Sequence, residues 1–233
     1  MDFGALFIGI FFMIIGWLVS RRLKNKFKEY SEVHLTKDLS GAEIARLMLA
    51  DSGIHDVQVV SVEGQLTDHY NPATKTVNLS EGVYHGRNAA AAAVASHECG
   101  HAVQHAQAYS MLSLRSAMVP IQNISASVLN FIFMAMIFGG FFAQSILPWS
   151  TALLVMIVCY GVFALFAVIT LPVEFDASRR ALAWIDARGI VTRSEHDMAK
   201  DALKWAAMTY VVAAIGAITT LIYYVMMFMG SRD

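Results

Sequence analysis

Three stretches of this chain, residues 3–20, 116–173 and 205–231, contain no Asp, Glu, Lys or Arg. Nothing else in the sequence restricts the fold so strongly. A helix rises ~1.5 Å per residue and a bilayer core is ~30 Å thick, so ~20 uncharged apolar residues make one crossing. The first and last stretches each fit one crossing. The middle one fits two, broken at Pro148-Trp149-Ser150, where proline ends a helix and tryptophan suits an interface. Four spans are expected, at about 3–20, 121–147, 151–171 and 206–229. Buried helices of a water-soluble protein rarely stay uncharged for so long. The chain has 233 residues, of which 57% are hydrophobic and 15% charged, with a mean hydropathy of +0.52. Its 17 basic residues nearly balance 18 acidic ones. That balance argues against nucleic-acid binding, and the apolar mass argues against disorder. Two cysteines are too few for a disulfide framework, and they fit reduced thiols.

Lys and Arg positions predict the orientation. Arg21, Arg22, Lys24, Lys26 and Lys28 follow the first span, and Arg115 precedes the second. Arg179, Arg180, Arg188, Arg193, Lys200 and Lys204 lie between the third and fourth, whereas the opposite side offers only Arg232. Both termini are expected on the outer side of the membrane, with the two polar regions in the cytoplasm. The basic cluster follows the first apolar stretch instead of preceding it, which reads as an anchor and not a cleaved signal peptide. The basic run itself reads as a topology anchor in contact with anionic lipid.

The polar region opens with Ser40 and Glu43, a capping box starting a helix through Ala50, with Gly53 as its stop. Segments around Val57–Val62, Leu66–Tyr70 and Thr76–Leu79 alternate as short strands, the last two joined by a turn at 71–75. A small antiparallel sheet is expected. A long Ala-rich helix follows, from about Asn88 to Tyr109.

Inside that helix stands His97-Glu98-Cys99-Gly100-His101. Histidines at i and i+4 share one helix face, so both imidazoles can reach a single metal ion. Glu98 projects from the adjacent edge, where a carboxylate can act on metal-bound water. With 8 histidines in 233 residues and as many glutamates, the H-E-x-x-H pattern arises by chance only ~0.01 times per chain. A catalytic zinc takes three protein ligands and keeps a fourth position open. His105 continues the stripe, but lies ~12 Å along the axis from His97, and reads as a surface or supporting residue. His69 and His85 stay open as third ligands. Glu174 is favoured on topology, because two membrane crossings return the chain to the side of His101. It is expected to open a juxtamembrane helix. Cys99 faces away from the metal.

His97–His101, Asp68-His69-Tyr70-Asn71-Pro72, Leu79-Ser80 with Val83-Tyr84, and Pro172-Val173-Glu174-Phe175-Asp176-Ala177-Ser178-Arg179-Arg180 resemble the YugP family of bacterial membrane zinc metallopeptidases. The resemblance runs over nearly the whole chain. More distantly, the pattern is similar to the HtpX-like membrane proteases. Those hold zinc with two histidines and a downstream glutamate, use the motif glutamate as base, and face the cytoplasm. Carried over by residue, the resemblance implies His97, His101 and Glu174 as ligands and Glu98 as base. One departure stands out. The HtpX-like group has an aspartate four residues after its ligand glutamate, and here that position is Ser178. Asp176 lies about 200° round the helix from Glu174 and cannot simply substitute, so the group that holds a ligand histidine is left open.

The expected fold is a mainly α integral membrane protein, with four transmembrane helices and a small α+β zincin-like metalloprotease domain on the cytoplasmic side. Its parts are a first span (1–20), the cytoplasmic domain (21–116), a transmembrane hairpin (117–172), a juxtamembrane helical segment (173–205), and a last span with tail (206–233). The expected function is zinc-dependent endoproteolysis of membrane or membrane-associated proteins, with one zinc ion per chain. Partners are a protein or peptide substrate and the bilayer, with no nucleic acid. Tyr70, His69, Arg179 and Arg180 are candidate oxyanion donors, and the Thr76–Leu79 strand is a candidate edge for an extended substrate. A non-proteolytic zinc-binding scaffold or regulatory partner is the alternative, distinguished by whether Glu98→Gln has any effect at unchanged zinc content. Cleavage inside the bilayer is disfavoured, because the motif helix is only weakly hydrophobic.

Overall fold

The structure, a computed structural model, describes residues 3–138 and 148–230. Its elements in chain order are α1 (Phe3–Ser31), α2 (Gly41–Asp51), β1 (Gln58–Val62), β2 (His69–Asn71), β3 (Thr76–Ser80), α3 (Glu81–Tyr84), α4 (Ala89–Ala106), α5 (Ser110–Phe138), α6 (Trp149–Ala187) and α7 (Arg193–Gly230). Among the described residues, four helices are long and apolar enough to cross a membrane: α1, α5, α6 and α7. The second expected span ends in residues 139–147, which lie outside the described residues. Pro148 precedes α6 and its carbonyl accepts from the Thr151 and Ala152 amides.

These helices extend beyond the uncharged stretches. The basic run at Arg21–Lys28 continues α1 as helix, which ends at Ser31. α6 passes through Pro172 without ending, so Glu174 sits within a continuous helix of 39 residues instead of opening a new one. Proline removes one backbone donor, but helix propagation adds a bond per residue on either side and carries the helix past it.

The chain divides into two compact units. One comprises residues 1–16, 114–171 and 210–233. Its core is Leu129 and Ile132 of α5, Leu153, Met156 and Cys159 of α6, and Tyr224 of α7. The Tyr160 and Tyr224 rings stack at 5.0 Å. Around this core the apolar side chains point outward: Phe131 is 72% exposed and Phe138 80%. Water does not tolerate apolar faces on that scale, and lipid does.

The other unit comprises residues 17–113 and 172–209. α2 starts with the expected capping box: the Ser40 hydroxyl accepts from the Glu43 amide, and the Glu43 carboxylate accepts from the Ser40 amide. It stops at Gly53, whose φ of 69° is the left-handed region open to glycine. The sheet is mixed, not antiparallel. Its order is β1-β3-β2, with β1 parallel to β3 and β2 antiparallel to it. The reason is burial: β3 is the most buried strand and takes the centre, with a neighbour on each side. The Thr76–Leu79 strand therefore has no open edge for a substrate, and the expectation that it pairs with one is corrected.

α4 is buried on nearly all sides. Ala89 to Ala93 are each no more than 1% exposed. A run that reads in the sequence as strong helix former also lets neighbours approach from both sides. Tyr30, Leu35, Ile44, Ile185 and Leu203 form one cluster with it. Met48, Val77, Leu79 and Val83 form another.

Candidate metal centre

The His97 and His101 rings lie one turn apart on α4, with centroids 4.8 Å apart. Glu174 of α6 faces both. Its Oε2 is 3.3 Å from His97 Nε2 and 3.6 Å from His101 Nε2. The three potential ligand atoms all lie within 4.8 Å of one another, and no other group of this kind occurs among the described residues. Bonds of ~2.0–2.1 Å arranged tetrahedrally give ligand–ligand separations of about 3.3–3.4 Å. The donor set and the two carboxylate–imidazole separations therefore fit a zinc ion.

A close approach of α4 to α6 makes this possible. A Cβ built on Gly100 would lie 2.6 Å from the Ala177 carbonyl oxygen. Only glycine lets the helices meet at this point. Cys99 lies away from the site, buried, with its thiol 3.5 Å from the Ala45 carbonyl.

Gln104 determines how His101 is presented. Its side-chain nitrogen donates to the Val173 carbonyl at 2.8 Å and to Asp176 Oδ2 at 3.0 Å. Both partners are acceptors only, so the amide has one orientation. Its Oε1 then lies 3.0 Å from His101 Nδ1 and must accept from it. His101 consequently carries a proton on Nδ1, which leaves Nε2 as the nitrogen turned to Glu174 and available to a metal. On His97, Nδ1 lies 3.1 Å from the Ser178 hydroxyl. Ser178, at the position where the HtpX-like group carries an aspartate, thus faces His97. Asp176 acts one step further out, through Gln104, and also takes Arg180 and Arg179.

Glu98 is buried beside the pair, and its Oε2 accepts from the Tyr70 backbone N–H at 3.0 Å. Strand β2 thereby fixes the motif carboxylate. Burial pushes the Glu174 carboxyl up, but His101 and His97 outweigh it and hold the group well below the usual carboxylate range. Burial likewise raises Asp176, and Gln104, Arg180 and Arg179 bring it below its ordinary value. Burial raises the Tyr70 phenol, as does Asp56, so it stays a proton donor at neutral pH.

The other candidates lie apart from this group. His105 is exposed and pairs with the Tyr70 hydroxyl at 2.7 Å. His69 Nδ1 lies 2.8 Å from the Thr67 carbonyl. His85 caps α3, with its ring 4.9 Å from that of Tyr84. Sequence reasoning missed Gln104 and Gly100. Gln104 lies three residues after His101, on the same helix face. A glycine in mid-helix is itself a sign of close packing.

A family model described as "Putative neutral zinc metallopeptidase" matches residues 5–229. The chain is 39% identical over 212 residues to a protein described as "Putative membrane protease YugP" from Bacillus subtilis (strain 168), covering 91% of each. No solved structure matches.

Proposed function

Because the chain belongs to the neutral zinc metallopeptidase family, we propose that it is a membrane-embedded zinc-dependent endopeptidase acting on membrane or membrane-associated proteins. His97, His101 and Glu174 hold the metal, and Glu98 is the general base. The site faces the cytoplasm and both termini lie outside, as the placement of Lys and Arg supports. The observation that carries the reading is the Glu174 carboxylate seated 3.3 and 3.6 Å from two histidine nitrogens one helical turn apart.

Bound there, zinc supplies a Lewis acid and a water acidified towards a pKa of ~7. The remaining work falls to the protein. Glu98 is steadied through Oε2 by the Tyr70 amide. Its other oxygen, which has no protein hydrogen bond among the described residues, takes the proton of the attacking water. The same carboxyl then returns a proton to the leaving amine. Among the candidate oxyanion donors, Arg179 and Arg180 are drawn to Asp176 and His69 lies against a carbonyl. The Tyr70 hydroxyl, protonated and on the strand that holds Glu98, is likewise engaged, 2.7 Å from His105 Nδ1, and serves as donor when it exchanges that partner for the substrate oxyanion.

The test is Glu98→Gln in the full chain, with bound zinc and peptide cleavage measured together. Zinc is expected to stay near one per chain while cleavage stops, and a cleaving variant discards the mechanism. Glu174→Ala is expected to lose the metal. Wild-type zinc content in that variant would send the search for the third ligand back to the histidines.

A further inference from the structure

A second feature lies on α6 and α7. A cavity of about 430 Å³ opens between residues 175–182 and 196–208. Its walls carry Arg179, Lys200 and Lys204, with no acidic residue among the lining side chains. Arg179 is already paired with Asp176. Neither Lys200 nor Lys204 has an ion-pair partner among the described residues, and both are exposed. The floor is apolar, formed by Phe175, Leu203 and Met208.

The order of these residues along the helices matters. On α6 the uncharged run ends at Val173, and Phe175 is the first cavity residue after it. On α7 Lys204 is the last charge before the uncharged run, and Met208 lies one turn into it. The α7 wall thus passes from charged to uncharged sequence within the cavity, and the α6 wall begins two residues beyond its uncharged run. Trp205, next to Lys204, has the Arg22 guanidinium 5.6 Å from its ring centre. Tryptophan with a neighbouring cation is what a helix carries at the membrane–water interface.

We propose that this cavity binds an anionic phospholipid, with its phosphate on Lys200 and Lys204 and an acyl chain along Phe175, Leu203 and Met208. The charge is complementary, the apolar and basic parts follow in the order that a lipid presents them, and the level is that of the headgroups. Ser178 lines the same cavity and touches His97, so an occupying lipid lies one side chain from the candidate metal centre. The inference does not depend on proteolysis, and its test reads lipid, not activity.

The experiment is native mass spectrometry of the detergent-solubilised full chain, titrated with phosphatidylglycerol or phosphatidylcholine. Phosphatidylglycerol is expected to be retained in preference. At roughly fivefold per basic residue, the double variant Lys200→Gln/Lys204→Gln is expected to weaken that retention about thirtyfold. Both side chains are exposed, so the variant keeps its fold. Lys37→Gln/Lys75→Gln removes the same charge from the exposed segments before α2 and β3 and is expected to leave retention unchanged. An equal loss in both variants would mean diffuse attraction to basic surface and overturn the proposal. Inorganic phosphate is expected not to displace the lipid, and displacement would make the occupant a soluble anion. Displacement by an acidic peptide would make the cavity a peptide site, and either result overturns the assignment.

Discussion

Replacing Gln104 tests whether one buried amide governs the metal site. Gln104→Leu keeps the volume and removes three hydrogen bonds. The losses are unequal. Asp176 retains Arg180, and the Val173 carbonyl loses only a side-chain donor. His101 Nδ1, 3.0 Å from Gln104 Oε1 on a side chain only 10% exposed, loses its acceptor. Leaving one buried donor unpaired costs ~1–3 kcal/mol and each lesser loss ~0.5–1. The sum is about 2–5 kcal/mol of stability. The His101 tautomer is no longer fixed, and zinc affinity is expected to fall ~10–100-fold, as when a partner of a ligand histidine is lost. Competition with a chromogenic chelator measures the affinity, and thermal unfolding measures the stability.

A second substitution separates the network from any simple acceptor effect. Gln104→Glu offers His101 a better acceptor but sets a carboxylate against Asp176 Oδ2, which now lies 3.0 Å from the amide nitrogen. Like charges at that distance disfavour ionisation of both. The expected result is weaker zinc binding than wild type at neutral pH. Wild-type affinity in Gln104→Leu, or tighter binding in Gln104→Glu, would refute the reasoning.

Gly100→Ala pushes a methyl to 2.6 Å from the Ala177 carbonyl, and is expected to cost ~1–3 kcal/mol in thermal unfolding and to loosen zinc by separating α4 from α6. Ser178→Ala is expected to weaken zinc by about tenfold, and Ser178→Asp to tighten it by giving His97 a carboxylate partner; chelator competition reads both, and identical affinities would remove Ser178 from the site. Glu195 ties the start of α7 to residue 36, accepting from the Thr36 amide and hydroxyl and from the Thr192 amide. Burial raises its carboxyl, but these bonds outweigh it and bring it below its ordinary 4.5. A depressed carboxyl stabilises the fold above the unfolded value and loses that contribution as pH falls through the folded one. The melting-temperature gap between wild type and Glu195→Gln is therefore expected to be constant above pH ~4.5 and to close below it.

The sequence makes some of this plain and hides the rest for identifiable reasons. The motif helix was legible because the i, i+4 imidazoles mark one helix face and the alanine run before them is strong helix former. The nearness of Glu174 to the histidines was legible as an expectation from two crossings that return the chain to one side, and the structure brings the three side chains together. Element lengths were not, because charge-free windows mark where a bilayer fits and not where hydrogen bonding stops; α1, α6 and α7 continue as helix through charged turns. The sheet order was hidden because the preference of β3 for the centre depends on what packs over it. Gln104 was hidden for a related reason. A glutamine on a helix has no assigned partner until the opposite helix is known, and Asp176, set aside as facing the wrong way round its own helix, reaches His101 through it.

The contacts between α4 and α6 form an antiparallel ladder. His97 meets Ser178, Gly100 meets Ala177, His101 meets Glu174, and Gln104 meets Val173. Four rungs in order fix both the register and the rotation of the two helices. A slip of one residue would turn every rung by 100°, moving Glu174 off the histidines and Gln104 off its acceptors together. A metal-binding geometry built this way depends on helix packing and not on loop conformation. Substitutions at Gly100 and Gln104, neither of them a proposed ligand, are therefore expected to disturb zinc binding as surely as changes to the ligands themselves.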